Sequence, residues 1–214
     1  MRRNETTALT LAAVLVTLSG LVSPRLPERW AAVVHGVFSA ALAVAADAPL
    51  GLRPPALRSG LRTGGVAAAL VSTGVAAASA VPGVRTAMTT RDLPAAPSRW
   101  LMLRIPLGTV WAEEVAYRGV LGHLGAAAFG PTRGRLLQSV AFGLSHIADA
   151  RAAGEPLAGT VLTTGVAGWV FAWLGERSGS LAAPMLAHLA LNESGALAAL
   201  AAQRRLRRVG AVKE

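Results

Sequence analysis

The chain has 214 residues, 53% hydrophobic and only 15% charged, and its mean hydropathy is positive. Soluble domains carry about 25% charged residues, so this composition excludes an ordinary water-soluble fold and predicts a multi-pass membrane protein. The formal net charge is +10 with no cysteine, which rules out disulfides, iron-sulfur clusters and thiolate metal sites.

Lys213 is the only lysine, so the positive charge is almost all arginine. These arginines punctuate apolar segments and do not form one face interleaved with aromatics. They read as loop charges that orient helices and touch anionic headgroups; no nucleic-acid partner is expected.

In chain order, apolar blocks occupy about 6–22, 30–50, 64–82, 100–121, 135–149, 156–175 and 180–202. The expected fold is all-α: a multi-pass transmembrane helical bundle of about seven to eight helices, forming a single integral membrane domain over 1–214. A span needs about 20 residues for a ~30 Å core, so the first block is a little short and the fifth clearly so. The first block follows Met1-Arg2-Arg3 without a convincing small-x-small cleavage site and is read as an uncleaved helix. The linkers Ser23-Pro24-Arg25-Leu26-Pro27 and Arg53-Pro54-Pro55 lack the donors to continue a helix in lipid, and so belong in water or headgroups.

Trp30 and Trp100 open blocks where aromatic rings favour the interface, while Trp169 and Trp173 share one helix face. Runs such as Gly64-Gly65-Val66-Ala67-Ala68-Ala69 and Val75-Ala76-Ala77-Ala78-Ser79-Ala80 let backbones approach closely, so tight helix packing is expected. The dense run Arg204-Arg205, Arg207-Arg208 and Lys213 favours a cytoplasmic carboxyl terminus.

Ionisable groups inside such blocks cost about 2.5–3.5 kcal/mol each at a helix centre, which marks them as functional candidates. Glu114 and Arg118 are four apart, with the acid on the amino-terminal side, the better orientation for an ion pair on one helix face. Glu113 is turned about 100° away, toward the strip shared with Tyr117. Held against an apolar interior without its own cation, it suits general acid-base work. The competing reading of this motif is a structural salt-bridge cluster with a spare acid.

Phe142 and His146 share a face, as do His188 and Asn192. The second pair offers an imidazole and a carboxamide able to donate to an oxyanion, or else a polar clasp between helices. His35 reads as a packing residue. His123, Asp149 and Asp47 fall near helix ends where solvation is easy, and Ser194 has no base at a definable spacing. No phosphate loop, HExxH or GxSxG motif is present.

Glu113-Glu114-x-x-x-Arg118, Phe142-x-x-x-His146 and His188-x-x-x-Asn192 together resemble, in order and spacing, the three motifs of the CPBP (CAAX protease and bacteriocin-processing, or Abi) intramembrane protease family. The resemblance runs from about 100 to 195 and includes the approach Leu181-Ala182-Ala183-Pro184-Met185-Leu186-Ala187. It implies an intramembrane endopeptidase that hydrolyses a peptide bond in a membrane-embedded or membrane-proximal substrate.

Carried over, Glu113 activates water with help from His146, His188 and Asn192 hold the oxyanion, and Glu114 and Arg118 fix the site. Tyr117 stands where a phenylalanine is common. It is either a supporting donor or a packing aromatic with its tip in headgroups. Zinc is left open: Glu113, His146 and His188 can supply three ligands with a free position for water, or Glu and His can act without metal.

The Ala- and Arg-rich, nearly lysine-free composition fits a GC-rich bacterial genome and a plasma-membrane location, which disfavours prenylated substrates. The alternative function is a non-proteolytic membrane scaffold, immunity protein or ion or proton relay using the same residues. Substrate identity and oligomeric state are not legible.

Overall fold

The computed structural model describes residues 3–211; Met1, Arg2 and Lys213, invoked above for the first helix and for topology, lie outside the described residues. Those residues are overwhelmingly helical and contain no strand. In chain order the helices are α1 (Arg3–Arg25), α2 (Glu28–Ala45), α3 (Ala56–Ala80), α4 (Pro82–Thr90) and a long rod, α5, over 97–129. Then come α6 (Pro131–Ser145), α7 (Ile147–Ala153), α8 (Leu157–Ser178) and α9 (Ala182–Ala211).

Apart from the short α4 and α7, one long helix stands for each predicted apolar block, so the expected all-α membrane bundle is the observed fold. Four of them, Arg3–Arg25, Ala56–Ala80, Leu157–Ser178 and Ala182–Arg208, are long and apolar enough to cross a bilayer. The fifth block is short as expected: the 15 residues of α6 reach about 22 Å at 1.5 Å per residue. The second block stops before its predicted end at 50. Asp47 takes a positive φ of 45° and Gly51 one of 63°, and Pro49 cannot extend a helical ladder.

Large apolar side chains such as Val37, Leu70 and Leu162 point outward, as lipid-facing residues do. The opposite holds for the middle of α5. Every residue of Glu114–Leu121 is buried, because this stretch is packed by α1, α2, α6 and α8. Here the backbone is π-helical, as it is over Trp100–Trp111. Pro106 lies within the first π stretch and supplies no backbone donor, and i→i+5 ladders of this kind gather at functional sites.

Small residues set the helix spacing, as their frequency predicted. A Cβ on Gly143 of α6 would come within 2.5 Å of the Val161 carbonyl of α8. One on Gly108 of α5 would come within 2.9 Å of the Ala32 backbone of α2. The indole of Trp111 ties the same pair of helices together by donating to the Gly36 carbonyl at 3.1 Å.

Candidate active site

Three helices bring the predicted residues to the middle of the bundle. Glu114 is completely buried and stands 3.4 Å from the Arg118 guanidinium, the pairing that the i, i+4 spacing predicted. The same carboxylate oxygen, Oε1, lies 2.8 Å from His188 Nδ1 on α9. A carboxylate only accepts, so Nδ1 carries the proton and Nε2 is turned to the far side of the ring. There His188 Nε2 is 3.9 Å from Glu113 Oε2, beyond direct hydrogen-bond reach and within range of a charge interaction.

Aromatic rings seal this cluster. The Arg118 guanidinium sits 3.8 Å from the Phe142 ring centroid and 5.2 Å from that of Phe171, faces that attract a desolvated cation. The His188 ring stacks on Phe171 at 4.9 Å. Gly168 of α8 leaves the room: its Cβ would be 3.0 Å from Phe142 and 3.4 Å from Arg118.

His146 ends α6. Its Nδ1 is 2.8 Å from the carbonyl of Phe142, which cannot donate, so this nitrogen too holds the proton and leaves Nε2 for proton transfer. Its ring meets Phe142 edge-on, 4.7 Å between centroids.

His146 and Glu113 line one cleft of about 570 Å³ between α1, α2, α5 and α7. That size is within the ~300–1,000 Å³ of small-molecule sites. Its inner wall carries Tyr117 and Ser145. Its mouth carries Glu28 and Arg104, paired at 3.2 Å. Leu15, Leu18, Val22 and Phe38 give it an apolar side.

The predicted residues therefore fall into two groups. Glu113 and His146 face the cleft, whereas Glu114, Arg118 and His188 form a dry charged cluster behind it, joined to the first group through Glu113. Asn192 belongs to neither. It is half-buried, does not line the cleft, and turns its amide back to donate to the His188 carbonyl at 3.3 Å. Tyr117 is only 3% exposed and packs edge-on against Phe142 at 5.2 Å, so the reading that put its tip in headgroups is corrected. Its ring is fixed inside the bundle, with the hydroxyl on the cleft side.

Among the described residues no three His, Asp or Glu side chains gather as ligands. His188 and His146 each donate Nδ1–H, to Glu114 and to the Phe142 carbonyl, and keep Nε2 free.

Sequence reasoning missed two cleft residues. His35, read as packing, lines the cleft and pairs with Ser23 Oγ at 3.0 Å. Asp149, read as solvated at a helix end, lines it as well. Neither carries a local signal; both arrive there only when α2 folds against α5 and α7 against the end of α1.

Residues 95–193 match the family described as Rce1-like, Type II CAAX prenyl endopeptidase Rce1-like, close to the 100–195 over which the motifs were read. No curated protein and no solved structure matches the chain.

Proposed function

We propose, from the match of residues 95–193 to the Rce1-like, Type II CAAX prenyl endopeptidase family, that the chain hydrolyses a peptide bond of a membrane-embedded or membrane-proximal peptide at the cleft of Glu113 and His146. The observation that carries this is geometric. A partly exposed carboxylate and a histidine with its Nε2 unclaimed line one cleft from different helices, and the carboxylate stands 3.9 Å from a second imidazole.

The steps balance without a further reactant. Glu113 accepts a proton from water as the water oxygen attacks the scissile carbonyl carbon. His146 Nε2 accepts the other water hydrogen bond and orients the attack. The proton held by Glu113 then passes to the departing amide nitrogen as the C–N bond breaks.

The oxyanion forms where the cleft meets Glu113, and His188, held at Nδ1 by Glu114, presents Nε2 toward that point from behind the cleft and donates to the oxyanion when that nitrogen carries a proton. Glu114 and Arg118 act through His188 as positioning residues, and Asn192 makes no contact with the reacting atoms. No step in this sequence runs through zinc.

We place the protein in the bacterial plasma membrane as one integral unit, with its carboxyl terminus in the cytoplasm. The test is incubation of the purified protein and its Glu113→Gln variant with a library of membrane peptides, read by mass spectrometry. Products from the parent that vanish with the variant support the reading. No product from either leaves the scaffold or relay reading standing in its place.

A further inference from the structure

A second cavity, of about 530 Å³, lies away from the cleft, between the start of α5 and the end of α9. Its walls divide sharply by chemistry. Leu101, Leu197 and Leu200 make an apolar inner part, and Arg204, Arg205 and Arg208 stand at its outer end. On α9 this is one helical face: 197, 201, 204 and 208 recur at steps of three and four, apolar first and cationic last.

None of these arginines forms a salt bridge among the described residues, and all three are exposed. The helix end that carries them is fixed, because Gln203 donates to the carbonyls of Met88 and Arg91 at the end of α4. The cavity thus sits where two long helices leave the apolar region, the depth of lipid phosphates.

We infer that this cavity binds one anionic phospholipid, its phosphate held by Arg204, Arg205 and Arg208 and an acyl chain laid along Leu101, Leu197 and Leu200. Three cations without acids call for an anion. The leucine wall distinguishes a lipid from free phosphate, which cannot use it. Neighbouring Arg207 does not line the cavity and serves as an internal control.

The test titrates the purified full chain in detergent with phosphatidylglycerol and with phosphatidylcholine of the same acyl chains, counting bound lipids by native mass spectrometry. Saturable binding of phosphatidylglycerol is expected. It should weaken about five-fold for each of Arg204→Gln, Arg205→Gln and Arg208→Gln, from ~1 kcal/mol per cation near a membrane surface. Arg207→Gln should leave it unchanged, and inorganic phosphate should not compete.

Equal binding of the two lipids would overturn the inference. So would an Arg207→Gln loss equal to the others, which marks a diffuse charge effect, or full displacement by inorganic phosphate, which marks an anion site without a lipid. Circular dichroism of each variant guards against loss of fold.

Discussion

Replacing Glu114 by glutamine probes the buried cluster with almost no change of shape. Its side chain is 0% exposed and that of Arg118 1%, so the substitution strands a cation in the middle of the bundle. The Phe142 and Phe171 faces remain in both proteins, and their cation–π attraction therefore cancels from the difference. What is lost is the ion pair at 3.4 Å and the charge assistance in the 2.8 Å contact to His188. Removing one partner of a buried pair costs about 3–5 kcal/mol, because the other charge is left uncompensated.

Adding Arg118→Met removes the stranded cation as well, and well-packed apolar replacements of buried pairs are often neutral. The double variant is therefore expected to regain most of the loss, which makes the two substitutions strongly non-additive. The assay is reversible unfolding in mixed micelles, followed by tryptophan fluorescence, on the parent, both single variants and the double. A Glu114→Gln protein within about 0.5 kcal/mol of the parent, the range of an ordinary surface change, refutes the reasoning.

Other expectations follow from single contacts. Gly143→Ala must push α6 from the Val161 carbonyl and should cost about 1–3 kcal/mol of stability, read in the same unfolding assay; no change would mean the helices are not so close. His188→Ala should lower kcat by at least about 100-fold, the size of losing one oxyanion donor. Asn192→Ala, whose amide faces its own helix, should fall by less than ten-fold, roughly the worth of a peripheral hydrogen bond; the reverse ranking would place Asn192 at the reacting atoms. Dialysis against a strong chelator should leave hydrolysis unchanged, and activity lost on chelation and restored by zinc alone would contradict the metal-free sequence of steps.

Helical spacing made part of the site readable in advance. The Glu114–Arg118 pair and the divergence of Glu113 toward Tyr117 depend only on rotation along one helix, and both appear in the structure. The fold class was readable for a similar reason, since long apolar blocks in lipid have few structures open to them. What spacing could not convey is which helices touch. His35 and Asp149 look unremarkable in isolation and reach the cleft through the packing of α2 on α5 and of α7 on the end of α1.

The pairing of His188 with Glu114 across 74 residues is also tertiary, and it fixes which ring nitrogen faces Glu113. Asn192 shows the limit in the other direction. It shares a face with His188 as the spacing said, yet its amide reaches back to the helix it stands on. Nor did the sequence announce the π-helical stretches of α5, because propensities describe the ordinary ladder and tertiary packing selects the wider one.

The central claim is that the Glu113 carboxylate removes the proton from water, and single-turnover hydrolysis addresses it most directly. Parent and Glu113→Gln proteins, matched in unfolding stability, are reconstituted in liposomes with a peptide that the parent cleaves, and the first-order rate of product appearance is measured. General base catalysis contributes about 10²–10⁴-fold, so the variant is predicted to be slower by at least two orders of magnitude. Equal rates from the two proteins would contradict the account.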